Sequence, residues 1–408
     1  MAGDETMVII GAGHAGGRAA EAMRQAGFAG KIILVGEEVH VPHERPPLSK
    51  ELLTGGDEVD STYLNPPSYY AENGIDLHLG TRAEAIDRNE HAVVLAGGER
   101  IGYDKLLIAT GARVRRIDCP GADLAGIHYI RTIDDTLSLR PALKEGIQVA
   151  VIGGGFIGLE VAAGARSLGA NVTVVELADQ ILSRIADPVV GELVAGLHRA
   201  NGVQIMTGAS VKRFEGNGRV ANLVCTDGAT IAAELVVVGI GILPNQEIAH
   251  DAGLDVGNGV IADEFGLTSD ADIYVAGDVA CHFNPILGRH LRLESWANAQ
   301  NGGIAVARNM VSKPIAYAEL PWFWSDQFDL NLQVVGAPVN WERLVIRGDP
   351  ASGCGIVFYM EGSCVVGATT FNLGREMRAC RYLLESGKGF SDEELANQET
   401  RLRDLARP

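Results

Sequence analysis

Met7-Val8-Ile9-Ile10-Gly11-Ala12-Gly13-His14-Ala15-Gly16 is matched later in the chain by Val149-Ala150-Val151-Ile152-Gly153-Gly154-Gly155-Phe156-Ile157-Gly158. In each copy a short apolar run enters a G-x-G-x-x-G turn and leaves it as a helical stretch, to Gln25 in the first and to Leu168 in the second. The likeness continues beyond the glycines. An alanine stands four residues after the third glycine (Ala20, Ala162) and a helix-ending glycine eleven after it (Gly27, Gly169). A second apolar run follows, Lys31 to Val35 and Asn171 to Val175, and each ends at an acid, Glu37 and Glu176. Both copies read as strand, glycine turn, helix, strand and acid.

Spacing of this kind has a physical reason. The first glycine permits the tight turn, the second lets a pyrophosphate approach the backbone, and the third lets the helix lie against the strand. Free N–H groups and the positive end of the helix dipole then hold the phosphates. The acid at the end of the second strand accepts hydrogen bonds from an adenosine ribose. Two complete units imply two dinucleotides. Glu176 repels a 2′-phosphate, and Leu177-Ala178-Asp179-Gln180 after it includes no base, which predicts NADH rather than NADPH in the second site.

Composition bounds the rest. With 408 residues, 47% hydrophobic, the chain is too long for one core and predicts a multidomain globular protein. A formal net charge of −18 argues against nucleic acid or an anionic membrane surface as the main partner. The start Met1-Ala2-Gly3-Asp4-Glu5 carries acids where a secretory signal carries bases, and no apolar run approaches the roughly 20 residues that span a bilayer, so a cytoplasmic protein is expected. Cys119, Cys225, Cys281, Cys354, Cys364 and Cys380 show no CxxC or metal-ligand spacing and read as reduced packing residues, with no metal expected.

Further apolar strands ending in glycine follow at Leu107-Ile108-Ala109-Thr110-Gly111, Val236-Val237-Val238-Gly239-Ile240-Gly241 and Ile273-Tyr274-Val275-Ala276-Gly277-Asp278. This order of motifs resembles the two-dinucleotide flavoprotein family that contains glutathione reductase. The resemblance implies FAD in the N-terminal unit, a nicotinamide dinucleotide in the inserted unit, and Asp278 on the flavin's ribityl chain. Asp278 also reads as a helix N-cap. Disulfide reductases of that family need a cysteine pair at the flavin, and this chain has no cysteine before Cys119. In the matching place stands His40-Val41-Pro42-His43-Glu44-Arg45-Pro46-Pro47-Leu48-Ser49-Lys50.

That segment, together with Arg131-Thr132, Gly155-Phe156-Ile157-Gly158-Leu159-Glu160, Gly241-Ile242-Leu243-Pro244-Asn245 and Pro321-Trp322-Phe323-Trp324-Ser325-Asp326-Gln327, looks like the ferredoxin reductases of bacterial oxygenase systems, the group of putidaredoxin reductase and the reductase components of aromatic-ring dioxygenases. The resemblance implies Lys50 by the flavin's reactive nitrogen and Glu160 as its counter-ion in the nicotinamide pocket, the two catalytic candidates. It extends the FAD contacts from Gly11, Gly13, His14, Ala15, Gly16 and Glu37 to Arg45, Ala83, Ala109, Thr110, Gly111, Arg131, Trp296 and Trp324. It assigns Gly153, Gly155, Phe156, Ile157, Gly158, Glu160, Glu176 and Gly241 to NADH. The implied partner is a two-iron ferredoxin, Rieske-type or plant/putidaredoxin-type, serving a terminal oxygenase. Arg289, His290, Arg292 and Arg308 are candidates for its docking patch.

The expected fold is α/β: two Rossmann-like dinucleotide-binding domains and a C-terminal α+β domain. The FAD domain takes residues 1–112 and 243–316, the NADH domain 113–242, and the C-terminal domain 317–408, whose β-rich runs are Leu332 to Val335, Leu344 to Ile346, Gly355 to Met360 and Cys364 to Ala368. An NADH oxidase or peroxidase, and a nicotinamide-sensing protein resembling apoptosis-inducing factor, are the competing readings.

Overall fold

The computed structural model describes residues 4–405; residues 1–3, the first part of the acidic start, and residues 406–408 at the end of the C-terminal domain lie outside the described residues. The chain forms two compact units, Met1–Pro46 with Glu58–Arg113 and Ile242–Pro321, and Pro47–Asp57 with Val114–Gly241 and Trp322–Pro408.

In the first unit, β1 (Thr6–Ile10) runs into α1 (His14–Gln25) and back through β2 (Lys31–Val35). With β3 (Ile75–His78), β4 (Lys105–Ile108) and the returning strand Ile273–Val275 they make a parallel sheet in the order Ile273–Val275, β4, β1, β2, β3. Both faces of this sheet are buried. Met7, Ile9, Ile32 and Leu34 enter one core, while Val8, Ile10, Ile33 and Val35 enter another, as the two-residue alternation of a strand requires.

The second unit repeats the plan. β5 (Gln148–Ile152), α2 (Phe156–Ser167), β6 (Asn171–Val175), α3 (Pro188–Ala200), β7 (Gln204–Met206) and β8 (Leu235–Val238) follow in turn. Their parallel sheet has the order β7, β6, β5, β8 and the short strand Ile127–His128. A three-stranded antiparallel meander interrupts both copies before the fourth strand, at Ala83–Gly102 and at Val211–Ala232. The internal repeat is therefore longer than the glycine motif that announces it.

The second unit also holds an antiparallel sheet of β9 (Trp322–Gln327), β10 (Leu330–Val335), β11 (Arg343–Asp349), β12 (Cys354–Glu361) and β13 (Cys364–Phe371), in the order β9, β10, β13, β12, β11. Four of these strands cover the β-rich runs of the sequence. β9 was legible only as a motif.

Two stretches sit with partners that the sequence division does not give them. Leu330, Leu332, Val357 and Phe371 share one core with Leu159, Ile181 and Val190, so the C-terminal sheet joins the second unit. Pro47–Asp57 joins it too, because Leu53 is buried with Val149, Val151 and Val161, and Thr136 Oγ1 donates to Leu48 O at 2.9 Å. No helix among the described residues is long and apolar enough to cross a membrane.

Candidate functional site: two glycine cradles and a lysine centre

The first cradle is set by backbone that leaves no room for side chains. Gly11 has a φ of +115°, and a Cβ there would collide with Ala109 O; a Cβ at Gly16 would collide with Gly11 O. Gly13 faces open space, where the nearest atom to a Cβ would be Arg45 Nη2 at 3.7 Å. From Gly13 starts α1, with no capping side chain and no acid in its first turn, so its N–H groups and dipole remain for an anion. Gly277 has a φ of +77° and would place a Cβ 2.9 Å from Ala15 Cβ, which brings Asp278 beside the start of α1. His14 is buried there, and its Nε2 lies 2.7 Å from Gln300 Oε1, which also accepts from Arg18 Nε at 2.8 Å. Burial chiefly lowers the His14 pKa, against the pull of Gln300, so the ring is held neutral. Trp296 meets the His14 ring edge-on at 5.3 Å.

Around this turn, Ala109 N donates to Ile10 O at 2.7 Å, and Thr110 is stapled twice to Asn245, through Thr110 Oγ1 to Asn245 O at 2.7 Å and Asn245 Nδ2 to Thr110 O at 3.0 Å. Gly111 O accepts from Asn245 N at 2.9 Å. Ala83, half-buried, begins the first strand of the meander. Arg45 donates to Glu38 Oε1 at 2.8 Å, and buried His43 places Nε2 3.6 Å from Glu38 Oε2. Glu38 and His43 are neighbours of Arg45 that spacing does not single out. Glu37 is exposed and lies 3.8 Å from Arg82 Nη1.

The second cradle has the same skeleton. Gly153 has a φ of +105° and would drive a Cβ into Gly239 O, Gly158 would drive one into Gly153 O, and a Cβ on Gly155 would meet nothing within 4 Å. Again α2 starts from a glycine with no capping side chain and no acid in its first turn. Ile157 and Leu177, 48% and 71% exposed, are large apolar side chains left uncovered beside it. Glu176 accepts Gly154 N–H at 2.6 Å through one oxygen and Ala178 N–H at 2.8 Å through the other. Leu182 N donates to Gly154 O at 2.9 Å, closing the loop after Glu176 over the turn. At Gly241, with a φ of +98°, a Cβ would stand 3.2 Å from Arg184 Nη2.

Glu37 and Glu176 are not equivalent, although both follow the second strand. Ile10 pairs with Val35 and Ile152 with Val175, so the counterpart of Glu176 is Gly36. A Cβ at Gly36 would collide with Ala12 Cβ, whereas opposite Glu176 the turn carries Gly154. The acid of the first copy is displaced by one residue for that reason.

The lysine centre belongs to the second unit. Lys50 Nζ lies 2.8 Å from Asp326 Oδ2 and 3.5 Å from Glu160 Oε1, with the Lys50 side chain 9% exposed. Phe156 and Glu160, one turn apart on α2, face Phe323 and Ser325, two apart on β9: the phenyl centroids are 5.2 Å apart and Ser325 Oγ donates to Glu160 Oε1 at 2.6 Å. Ser49 Oγ donates to the other oxygen at 2.5 Å. On the opposite face of β9, Trp322 and Trp324 stack at 5.2 Å and Trp324 Nε1 donates to Asp326 Oδ2 at 3.1 Å. Lys50 Nζ sits 5.4 Å from the centre of the Trp324 ring.

The two carboxylates differ in charge behaviour. Burial pushes the Glu160 carboxyl above the ordinary carboxylate range, with Lys50, Ser325 and Ser49 pulling against it. Burial also works against Asp326, but the hydrogen bonds from Lys50, Asn331 and Trp324 together hold it below that range. Asp326 is therefore the steadier counter-ion of Lys50, a role the sequence reading gave to Glu160 alone. Arg131 stands at a helix start in the same unit, its backbone N–H on Asp135 Oδ2 at 3.0 Å. Of the docking candidates, Arg292 is engaged by Glu294 at 2.6 Å and Asn258 at 3.0 Å with its side chain 8% exposed, which removes it as a surface cation; His290 and Arg308 are exposed.

Residues 5–303 match the model of the pyridine nucleotide-disulphide oxidoreductases, and residues 322–406 that of the reductase C-terminal domain. The chain belongs to the pyridine nucleotide-disulphide oxidoreductase family. Like the ferredoxin–NAD(+) reductase component of the anthranilate 1,2-dioxygenase system of Burkholderia cepacia, with which it is 43% identical over 98% of each chain, this family member extends through the C-terminal domain. Putidaredoxin reductase of Pseudomonas putida is 35% identical over 99% of this chain and 97% of its own. Among solved structures, the ferredoxin reductase for the CYP199A2 system of Rhodopseudomonas palustris superposes with a TM-score of 0.96 at 37% identity, covering 99% of this chain and 100% of that one. The putidaredoxin reductase in its covalent complex with putidaredoxin gives the same score at 35% identity, covering 99% and 98%. Despite the family name, all six cysteines here are free thiols.

Proposed function

We propose that this chain is an FAD-dependent NADH:ferredoxin oxidoreductase that takes two electrons from NADH and passes them singly to a two-iron ferredoxin, Rieske-type or plant/putidaredoxin-type, serving a terminal oxygenase in the cytoplasm. The observation that carries the reading is the duplicated cradle: two helices of 12 residues, each started by glycines whose Cβ positions are needed empty and neither capped by its own side chain. The relatives' roles support the electron acceptor.

The first cradle fits FAD. Gly11, Gly13 and Gly16 clear the space for a pyrophosphate, His14 and Ala15 supply first-turn N–H groups, and Arg45, steadied by Glu38, adds a cation at Gly13. Asp278 offers a carboxylate to hydroxyls of the ribityl chain, Glu37 offers one to the adenosine ribose, and Ala83, Ala109, Thr110, Gly111 and Trp296 shape the surroundings. Bound flavin accepts a hydride and gives up electrons one at a time, which suits a one-electron iron-sulfur acceptor.

The second cradle fits NADH. Gly153, Gly155 and Gly158 receive the pyrophosphate at Phe156 and Ile157, Gly241 borders it, and Glu176 turns its remaining lone pairs to the ribose hydroxyls. Lys50 keeps a positive charge where negative charge must be held during transfer, Asp326 keeps that lysine oriented, and Glu160 faces the nicotinamide end. Trp324 keeps water from the lysine.

Anaerobic stopped-flow mixing tests this. NADH should bleach the bound flavin far faster than NADPH, and a two-iron ferredoxin mixed second should restore its colour. Rapid oxygen consumption with no ferredoxin present would favour an oxidase instead.

A further inference from the structure

A buried row of polar side chains in the second unit is not needed by either cradle. His198 on α3 is fully buried, with Nε2 2.8 Å from Gln327 Oε1. Gln327 Nε2 donates to Ser325 Oγ at 3.0 Å, and Ser325 Oγ donates to Glu160 Oε1 at 2.6 Å. Every donor in the row points toward Glu160.

The direction is not free. A serine hydroxyl has one proton to give. Were Gln327 turned so that its carbonyl faced Ser325, two acceptors, Gln327 Oε1 and Glu160 Oε1, would compete for that one proton, and one of the contacts, at 3.0 or 2.6 Å, would set lone pair against lone pair. His198 prevents the turn. Burial lowers its pKa and keeps the imidazole neutral, with one proton for two nitrogens. Nδ1 is buried without a hydrogen-bond partner, so a proton placed there would be an unpartnered buried donor, which costs more than an unpartnered lone pair. On Nε2 the proton finds Gln327 Oε1, and the amide is held in the orientation that commits its N–H to Ser325.

We propose that His198 and Gln327 are positioning residues for Glu160: together they fix the direction of a hydrogen-bond chain whose last proton is delivered to that carboxyl, favouring its charged form against the burial that opposes it. The inference rests on the redox reading of the lysine centre and adds two residues to it. The charged groups facing Glu160 are Lys50 from the segment before Glu51 and Asp326 on β9; His198 on α3 acts only through the chain. Because Asp326 holds Lys50 independently, breaking the chain changes when Glu160 takes up a proton and leaves Lys50 paired.

The test is an infrared titration of the protonated-carboxyl band of the FAD-loaded protein, with the E160Q spectrum subtracted to isolate Glu160. In S325A and Q327L the midpoint should rise by about one pH unit, a tenfold change in proton affinity, and in H198F by less. S325T, which keeps the hydroxyl, should stay near the unsubstituted protein. H198F retains a ring against Phe328, whose centroid lies 5.2 Å from that of His198, so it reports on the chain if Q327L does not fold. The acid limb of flavin reduction by NADH should move with the infrared midpoint. Equal midpoints in all variants would overturn the proposal, as would a shift in S325A with none in Q327L and H198F. Failure to reduce a ferredoxin would count against the oxidoreductase reading and leave this titration unaffected.

Discussion

The first and second cradles share strand order, helix length and the two glycine positions where a Cβ would strike the backbone, yet they differ at one pair of residues. In the first, Ala12 fills the middle of the turn and its neighbour across the sheet is Gly36; in the second, the turn has Gly154 and the neighbour is Glu176. One Cβ fits in that gap. Where the turn takes it, the acid is pushed outward to an exposed position. Where the turn gives it up, the acid moves in and locks onto Gly154 and Ala178 N–H groups. A glycine turn can thus keep its backbone while the acid that follows the second strand is relocated by the exchange of a single methyl group.

Filling the shared glycines should have the largest effect. G16A and G158A each drive a Cβ into a carbonyl, at a cost of about 3 kcal/mol to the local turn. G16A should purify without flavin, whereas G158A should stay yellow and lose NADH-driven bleaching; loss of flavin from both would merge the two roles.

Acid should separate the units next. Burial holds His43 and His282, both in the first unit, at about 4 rather than 6.5. The unfolded chain binds those protons and the folded unit does not, so their contribution is complete above pH 6.5 and is lost as pH falls toward 4, by about 3 kcal/mol for each histidine. In the second unit burial lowers the His198 pKa in the same sense, but the raised carboxyl of Glu160 works against it, because the folded form binds that proton more readily. Hydrogen exchange between pH 7 and 4 should show the first unit opening earlier, and H282F should delay it.

Smaller effects sharpen the ribose and phosphate assignments. E176A removes the acceptor of two backbone N–H groups and should raise the NADH KM roughly 10- to 100-fold, about 2 kcal/mol, with flavin retention unchanged. R45A should weaken FAD about tenfold, measured by flavin release, and E38A by less, since Glu38 only holds the guanidinium. E37A, which removes an exposed carboxylate offered to the adenosine ribose, should weaken FAD by about fivefold.

What could be read from the sequence follows from the range of the forces involved. Gly11, Gly16, Gly153 and Gly158 are local geometric requirements, so spacing revealed both cradles and, with the alternating apolar runs, both parallel sheets. Lys50 and Glu160 came through resemblance. Asp326, Ser325 and Gln327 stood in a quoted motif without roles, because their partners are far away in sequence, 276 residues for Asp326 with Lys50, 165 for Ser325 with Glu160 and 129 for Gln327 with His198. The two-residue alternation of Phe323, Ser325 and Gln327 was the available signal, since it marks one face of a strand. Glu38 and Gln300 gave no such signal: each is an ordinary polar residue until the fold sets it against Arg45 or His14.

The central claim is a flavin reduced by NADH with no thiol taking part. It is tested most directly by anaerobic flavin bleaching after complete alkylation of the cysteines under conditions that preserve the fold. NADH should bleach the alkylated protein at the rate of the untreated one, and K50A should slow that step in both. Bleaching that disappears on alkylation would contradict the account.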